Sequence, residues 1–330
     1  MAQRVALRLG LWLLGLAVLL LLGWPPAAPS SAGGTSFVYL PIIVQECQYA
    51  TIPASGSWLD DVNYYRATAC LPAVTENTAW SNGDTKHAIY TVKNNVLMHD
   101  EDTQNLWYTP EGRTAAQQSD ILASSTTNTT DRAAIDLWME GPFHALGILD
   151  PHLTQVGYGS YREAKSGFQM GAGINVLAGL NSSVTPRYPV IWPGNGTTIP
   201  LNEYGGGESP DPLASCPGYT VPSGLPLIIQ FGSGNTPAVT ASAFSQNGQS
   251  LASCVFSGTT YTNPNSGAQS LGRSVLGARG AIVLIPRLPL SAGLSYTASI
   301  TANGQTYTWS FSVSAAAQAQ ANPAGKTVMR

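Results

Sequence analysis

Charge is scarce in this sequence. Of its 330 residues only 10% are Asp, Glu, Lys or Arg, and the formal net charge is −3. So weak a field gathers neither nucleic acid nor an anionic membrane surface, which disfavours polyanion binding. Cysteine is scarce too. There are four, none in C-x-x-C spacing, which argues against a zinc ribbon or finger. No G-x-S-x-G elbow and no H-E-x-x-H helix occurs, so neither hydrolase signature is available. Internal repeats are absent. The apolar run Leu9 to Trp24 is sixteen residues long, short of the ~20 a spanning helix needs.

That run has a function of its own. Arg4 and Arg8 precede it, Pro25 and Pro26 break it, and small residues follow through Ser30, Ser31 and Ala32. This is the pattern of an export signal over residues 1–32, cleaved near Ala32, with a retained N-terminal anchor as the alternative. The expected localisation is secreted or extracellular, or associated with the envelope, with no stable transmembrane anchor. An even count of Cys47, Cys70, Cys216 and Cys254 in an oxidising compartment implies two disulfides. Of the three connectivities, Cys47–Cys70 with Cys216–Cys254 keeps each bridge inside one proposed domain.

After a strap at 33–55, helical patterning begins. Ser57 is a candidate N-cap with Asp60 three residues on, and Trp58, Val62, Tyr65 and Ala69 fall on one helical face until Pro72. A second helix is expected over Thr78 to Asn95, a short one over Ala115 to Leu122, one from Asp131 to the Gly141-Pro142 break, and another over Phe143 to Leu149. Thr154 to Arg162 and Phe168 to Val176 alternate as strands. Beyond Pro186 the helical signal fades. Strands are expected at Arg187–Trp192, Pro226–Phe231, Val239–Phe244, Ala281–Ile285, Leu294–Ala302 and Gln305–Val313, the last two joined at Asn303-Gly304. Ala315 to Arg330 is read as a frayed tail.

Four segments carry a resemblance. VNYYRATACLPAV (Val62–Val74) has an N-x-x-R opening and a leucine-proline exit, with Cys70 where glycine is usual. KHAIYTVKNNVLMHDED (Lys86–Asp102) ends in His99. LWMEGPFHALGILDP (Leu137–Pro151) carries His144, and LTQVGYGSY (Leu153–Tyr161) carries V-G-x-G. In this order, over Leu59 to Gly179, they resemble the bacterial branch of the CAP superfamily (cysteine-rich secretory proteins, antigen 5 and pathogenesis-related proteins). Ala281 to Val313 resembles the immunoglobulin-like domains appended to exported bacterial proteins. The fold class implied is α+β: a CAP-like α/β/α sandwich at 56–185, then an all-β immunoglobulin-like sandwich at 187–315, with a flexible tail at 316–330.

The resemblance also implies a cleft between His99 and His144, which in some relatives holds a divalent metal such as zinc. Its acidic partners are open: glutamate is absent at Gln118-Ser119-Asp120, Glu140 follows Trp138 by two residues, and Glu101 or Asp102 could stand in near His99. Trp107 and Tyr108 are candidates to line an apolar groove, since relatives are described as lipid or sterol binders. The bland alternative is that the histidines cap helices or bond backbone. His87 reads as a packed core residue, His152 as a solvated turn residue, and Ser119 as a weak candidate nucleophile. Asn128, Asn181 and Asn195 fit N-x-S/T acceptor sites. The function expected is a secreted, non-catalytic binding module for an apolar small molecule, a divalent metal or a surface component, with an immunoglobulin-like spacer or adhesion domain. The alternatives are a metal-assisted hydrolase using the His99/His144 cleft and a structural envelope protein.

Overall fold

Capping signals decide where the helices begin. In the computed structural model, which describes residues 42–43, 47, 56–316 and 327–329, Ser57 opens helix α1 (Trp58–Ala67). Its hydroxyl accepts the Asp60 N–H while the Asp60 carboxylate accepts the Ser57 N–H. Asn77 caps α2 (Thr78–Asn94), and Thr109 with Pro110 at the first turn opens α3 (Pro110–Ala116). Thr130 caps α4 (Asp131–Glu140), and Gly141-Pro142 separates it from α5 (Pro142–Ile148). The proposed export signal and most of the strap lie outside the described residues. Among the described residues, no helix is long and apolar enough to cross a membrane.

The N-x-x-R pattern in α1 is structural. Asn63 holds Val74 through both its amide atoms, at 3.1 and 2.8 Å. Arg66, fully buried, donates to the carbonyls of Pro72, Ile148, Asp150 and Leu153 at 2.7–3.1 Å. Cys70 lies at φ 58° just past the helix end, a left-handed position that favours glycine. The Cys47–Cys70 and Cys216–Cys254 bridges are both formed.

A five-stranded sheet forms the middle layer, in the order Thr327–Met329, Ser119–Ser124, Met170–Asn175, Gln155–Arg162, Thr75–Glu76. All neighbours are antiparallel except the last pair. Helix α2 lies on one face, and the V-G-x-G motif explains how closely. A side chain at Gly157 would meet the Ser81 nitrogen at 2.7 Å, and one at Gly159 would collide with the Thr85 backbone. Tyr158, between them, points to the other face. There it stacks on Trp58 of α1 at 5.3 Å and meets Trp138 of α4 edge-on at 6.2 Å. Gly159→Val should therefore destabilise by about 3 kcal/mol, because neither backbone can yield. Urea unfolding with an unchanged midpoint would disprove this.

Two segments differ from the sequence expectation. Ser119–Ser124 is a strand, not the end of a helix over Ala115 to Leu122. Thr109 and Pro110 start α3 earlier, and Ile121, Leu122 and Ala123 are then drawn between two strands. Thr327–Met329, placed in the frayed tail, pairs antiparallel with Leu122 to Ser124.

The second half builds two larger sheets beside the two-stranded pair of Glu203–Tyr204 with Ser223–Gly224. One runs Ser253–Ser257, Ala281–Pro286, Leu227–Gln230, Val190–Trp192, antiparallel throughout. The other is centred on Val239–Gln246, Ser295–Ala302 and Gln305–Val313, with Ile42–Ile43 and Thr198–Ile199 added in parallel to the last strand. Asn303 and Gly304 turn the hairpin at φ 52° and 78°, as a two-residue type I′ turn requires. The all-β expectation needs one correction. Ser266–Ala278 is a helix, α6, capped by Asn265. Its three glycines conceal it in the sequence, yet one of them, Gly272, is what lets the Tyr261 ring lie against the helix.

The hydrophobic core crosses the 185/187 boundary. Trp192 packs on Tyr65 at 6.3 Å and donates its indole N–H to Thr68. Phe143 of α5 meets Tyr261 at 5.2 Å. Gln230 donates to the Leu149 carbonyl at 3.0 Å.

Candidate functional site

The α4–α5 corner carries the buried chemistry. Gly141-Pro142 turns the chain so that α5 begins with Phe143 and His144 facing inward, both buried. Onto this corner comes a carboxylate from far away in sequence, that of Glu208. Its Oε1 accepts the N–H of Phe143 at 2.8 Å, the N–H of His144 at 3.0 Å and the His144 ring at Nδ1 at 2.8 Å. The side chains of His144 and Glu208 are 4% and 0% exposed, so this contact is out of solvent. Gly141 is bare for a reason: a Cβ there would stand 2.7 Å from the same oxygen.

Asp120 faces this pair from the sheet. Alternation along Ser119–Ser124 sends Ser119 toward α2 and Asp120 toward α5, where its Oδ2 would stand 3.0 Å from a Cβ at Gly147. The residue is partly exposed but Oδ2 itself is not, and it has no hydrogen-bond partner among the described residues. Burial pushes its carboxyl up to about 7; His144 and Arg279 pull it down and Glu208 pushes it further up. Burial also raises Glu208, against the pull of its bonds to His144 and Phe143. Arg279, at the end of α6, pairs with Asp150 at 3.2 Å.

The other residues singled out in the sequence take different places. His99 is exposed, with Nδ1 2.7 Å from the Ala116 carbonyl at the end of α3. The two imidazoles thus sit in different settings, one at the surface and one in the interior. Glu101 serves His87, 2.9 Å away in the core, and accepts the Thr109 N–H that leads into α3. Asp102 is exposed and caps a turn at Gln104. Glu140 is buried at the end of α4, where burial first and Asp136 second hold its carboxyl well above the usual range, against a bond from the Gly205 backbone. Trp107 is 40% exposed, with the Lys93 ammonium 4.9 Å from its ring centre, and its neighbour Leu106 is 88% exposed. Tyr108 is half-buried beside them. Ser119 donates to Asp84 at 2.6 Å, on the opposite face of the sheet from His144.

A zinc site needs three or four ligands in tetrahedral array. Among the described residues, no group of three or more His, Cys, Asp or Glu side chains is placed to hold a metal ion. The His99/His144 pair therefore does not gain the further ligands that zinc requires. Glu208 was missed in the sequence because it lies 64 positions beyond His144. The run EYGGGE at Glu203–Glu208, two acids flanking three glycines, is the only signal that could have drawn attention to it.

This geometry defines an α+β protein: helices on both faces of a central sheet, a histidine–carboxylate interior at one helix corner, and β-rich structure packed onto that corner. Residues 59–177 match the model of the cysteine-rich secretory protein family, CAP, so the chain carries a CAP domain over that span. Among solved structures it is similar to a 1.5 Å crystal structure of an extracellular protein containing a SCP domain from Bacillus anthracis str. Ames, at 18% identity and a TM-score of 0.29. That match covers 36% of this chain and only 39% of the other. No curated protein matches the chain.

Proposed function

We propose that this is an extracellular binding protein without catalytic activity, in which the β-rich half buttresses the CAP domain. The observation that carries this reading is the closed state of the His144 corner. A general base must reach the proton it takes, and the His144 side chain is only 4% exposed. Ser119, the weak candidate nucleophile, has its hydroxyl committed to Asp84 behind the sheet. The extracellular part of the proposal is supported by the two disulfides, by the CAP domain and by the apolar run after Arg8. Leu106 and Trp107 are 88% and 40% exposed, with Met98 nearby in sequence at 40%, and they support a ligand with an apolar face. The sheets beyond residue 187 are read as an immunoglobulin-like buttress, since Trp192, Phe143 and Tyr261 pack across the join.

The test uses the purified full chain. A panel of esters, peptides and glycosides should show no turnover, and an apolar fluorescent probe should bind at least fivefold more weakly to Trp107→Ala, the order expected for an exposed aromatic anchor (~1 kcal/mol). Turnover that vanishes in His144→Ala would replace this reading with a hydrolase. If zinc also bound at about one per chain and was lost in the same variant, that hydrolase would be metal-assisted.

A further inference from the structure

We propose that residues 205–208 form a strap that closes over His144 and is latched by the single carboxylate of Glu208. The segment is held at both ends. Before it, Tyr204 is 1% exposed and Glu203–Tyr204 pairs with Ser223–Gly224. After it, Pro210 is buried. Between these anchors stand Gly205, Gly206 and Gly207, with no side chain to pack. Gly206 and Gly207 have φ of 94° and 93°, a region that other residues rarely enter. The glycines give the strap no apolar side chain of its own, only the Val221 side chain lying against Gly206, and its one long side chain is the Glu208 latch.

Three attachments close it. Glu208 takes the two N–H groups and the ring of the α5 corner. The Gly205 backbone bonds the Glu140 carboxylate at the end of α4. Met329, on the edge strand of the central sheet, donates its N–H to the Gly207 carbonyl at 2.9 Å. All three are polar, and two involve carboxylates that burial drives toward the neutral form. Glu208 Oε2 and Asp120 Oδ2, both buried, have no hydrogen-bond partner among the described residues. Polar attachments with unmet partners, on a chain that regains much backbone freedom when released, mark a segment that opens without global unfolding. Open, it uncovers His144 and Asp120. This inference concerns access to His144 and stands whether the corner binds or hydrolyses.

The test is residue-resolved histidine modification by diethylpyrocarbonate, read by peptide mass spectrometry on the full chain. Exposed His99 and buried His87 serve as internal standards. In the parent protein His99 should react fast, with His144 and His87 slow. In Glu208→Ala, His144 should react about tenfold faster or more while His87 stays slow, the local opening that loss of the three Glu208 hydrogen bonds produces. Glu208→Gln, which keeps an acceptor for the two N–H groups, should give a smaller increase and guards against misfolding of the alanine variant. An unchanged His144 rate in Glu208→Gln and Glu208→Ala, or equal acceleration of His87 in both, would overturn the strap.

Discussion

Replacing Arg66 by alanine should cost more stability than any other single side-chain truncation in the CAP domain. The guanidinium is fully buried and gives four N–H bonds to the carbonyls of Pro72, Ile148, Asp150 and Leu153, tying the exit of α1 to the end of α5 and the turn before Gln155–Arg162. Burial pulls its basicity down to about 10, partly offset by Asp150, so it stays charged at neutral pH. Truncation leaves four carbonyls with lost donors in a site that water cannot easily fill. A loss of about 3–5 kcal/mol follows from breaking such a buried charged network. Arg66→Lys should recover little, because one ammonium cannot span carbonyls arranged for a planar fork. Urea unfolding of both variants checks this, and a loss under ~1 kcal/mol for Arg66→Ala would refute the clamp.

A second large effect should appear only with changing pH. Asp84, on the inner side of α2, is buried, and its Oδ2 has no hydrogen-bond partner among the described residues. Burial pushes its carboxyl up to about 7, against the pull of the bonds from Ser119 and the Asn175 backbone. An unfolded aspartate titrates near ~3.9. The folded state therefore holds a proton that the unfolded chain has already released, so this contribution is full at acid pH and is lost as pH rises toward about 7. Asp120, also raised to about 7, and Asp136, raised to about 6, act in the same direction. Asp84→Asn keeps the shape and removes the charge. It should leave stability at about pH 4.5 nearly unchanged and raise it at about pH 8 by ~2 kcal/mol, part of the desolvation cost avoided. Thermal unfolding at the two pH values decides. Destabilisation at both would show that the Asp84–Ser119 bond, rather than the buried charge, dominates.

Much of the CAP domain was legible because its motifs are local. Ser57 and Asp60 announce a capping box whatever lies around them. The glycines of V-G-x-G mark a strand on which a helix lies too close for side chains, and α2 lies there. Alternation of Tyr296, Ala298 and Ile300 against Phe311, Trp309 and Tyr307 fixes the hairpin register through Asn303-Gly304. Elements whose identity depends on remote partners were hidden. Ser119–Ser124 follows a helix and reads as more of it; pairing on both sides makes it a strand. Helix α6 has poor intrinsic propensity and forms because Leu276 and the Tyr261 contact bury one face.

The site divides in the same way. The sequence alone determined which histidines to examine and that four cysteines imply two bridges, with Cys47–Cys70 and Cys216–Cys254 preferred among three connectivities. Only tertiary structure decided that His144 is buried, that His99 keeps to the surface, and that Glu101 belongs to His87. It alone brought Glu208 onto the α5 corner from beyond the family span. Caps, alternation and turns depend on residues a few positions apart, so they can be read along the chain. A buried imidazole's partner is chosen by how whole layers pack, and no local pattern encodes that choice.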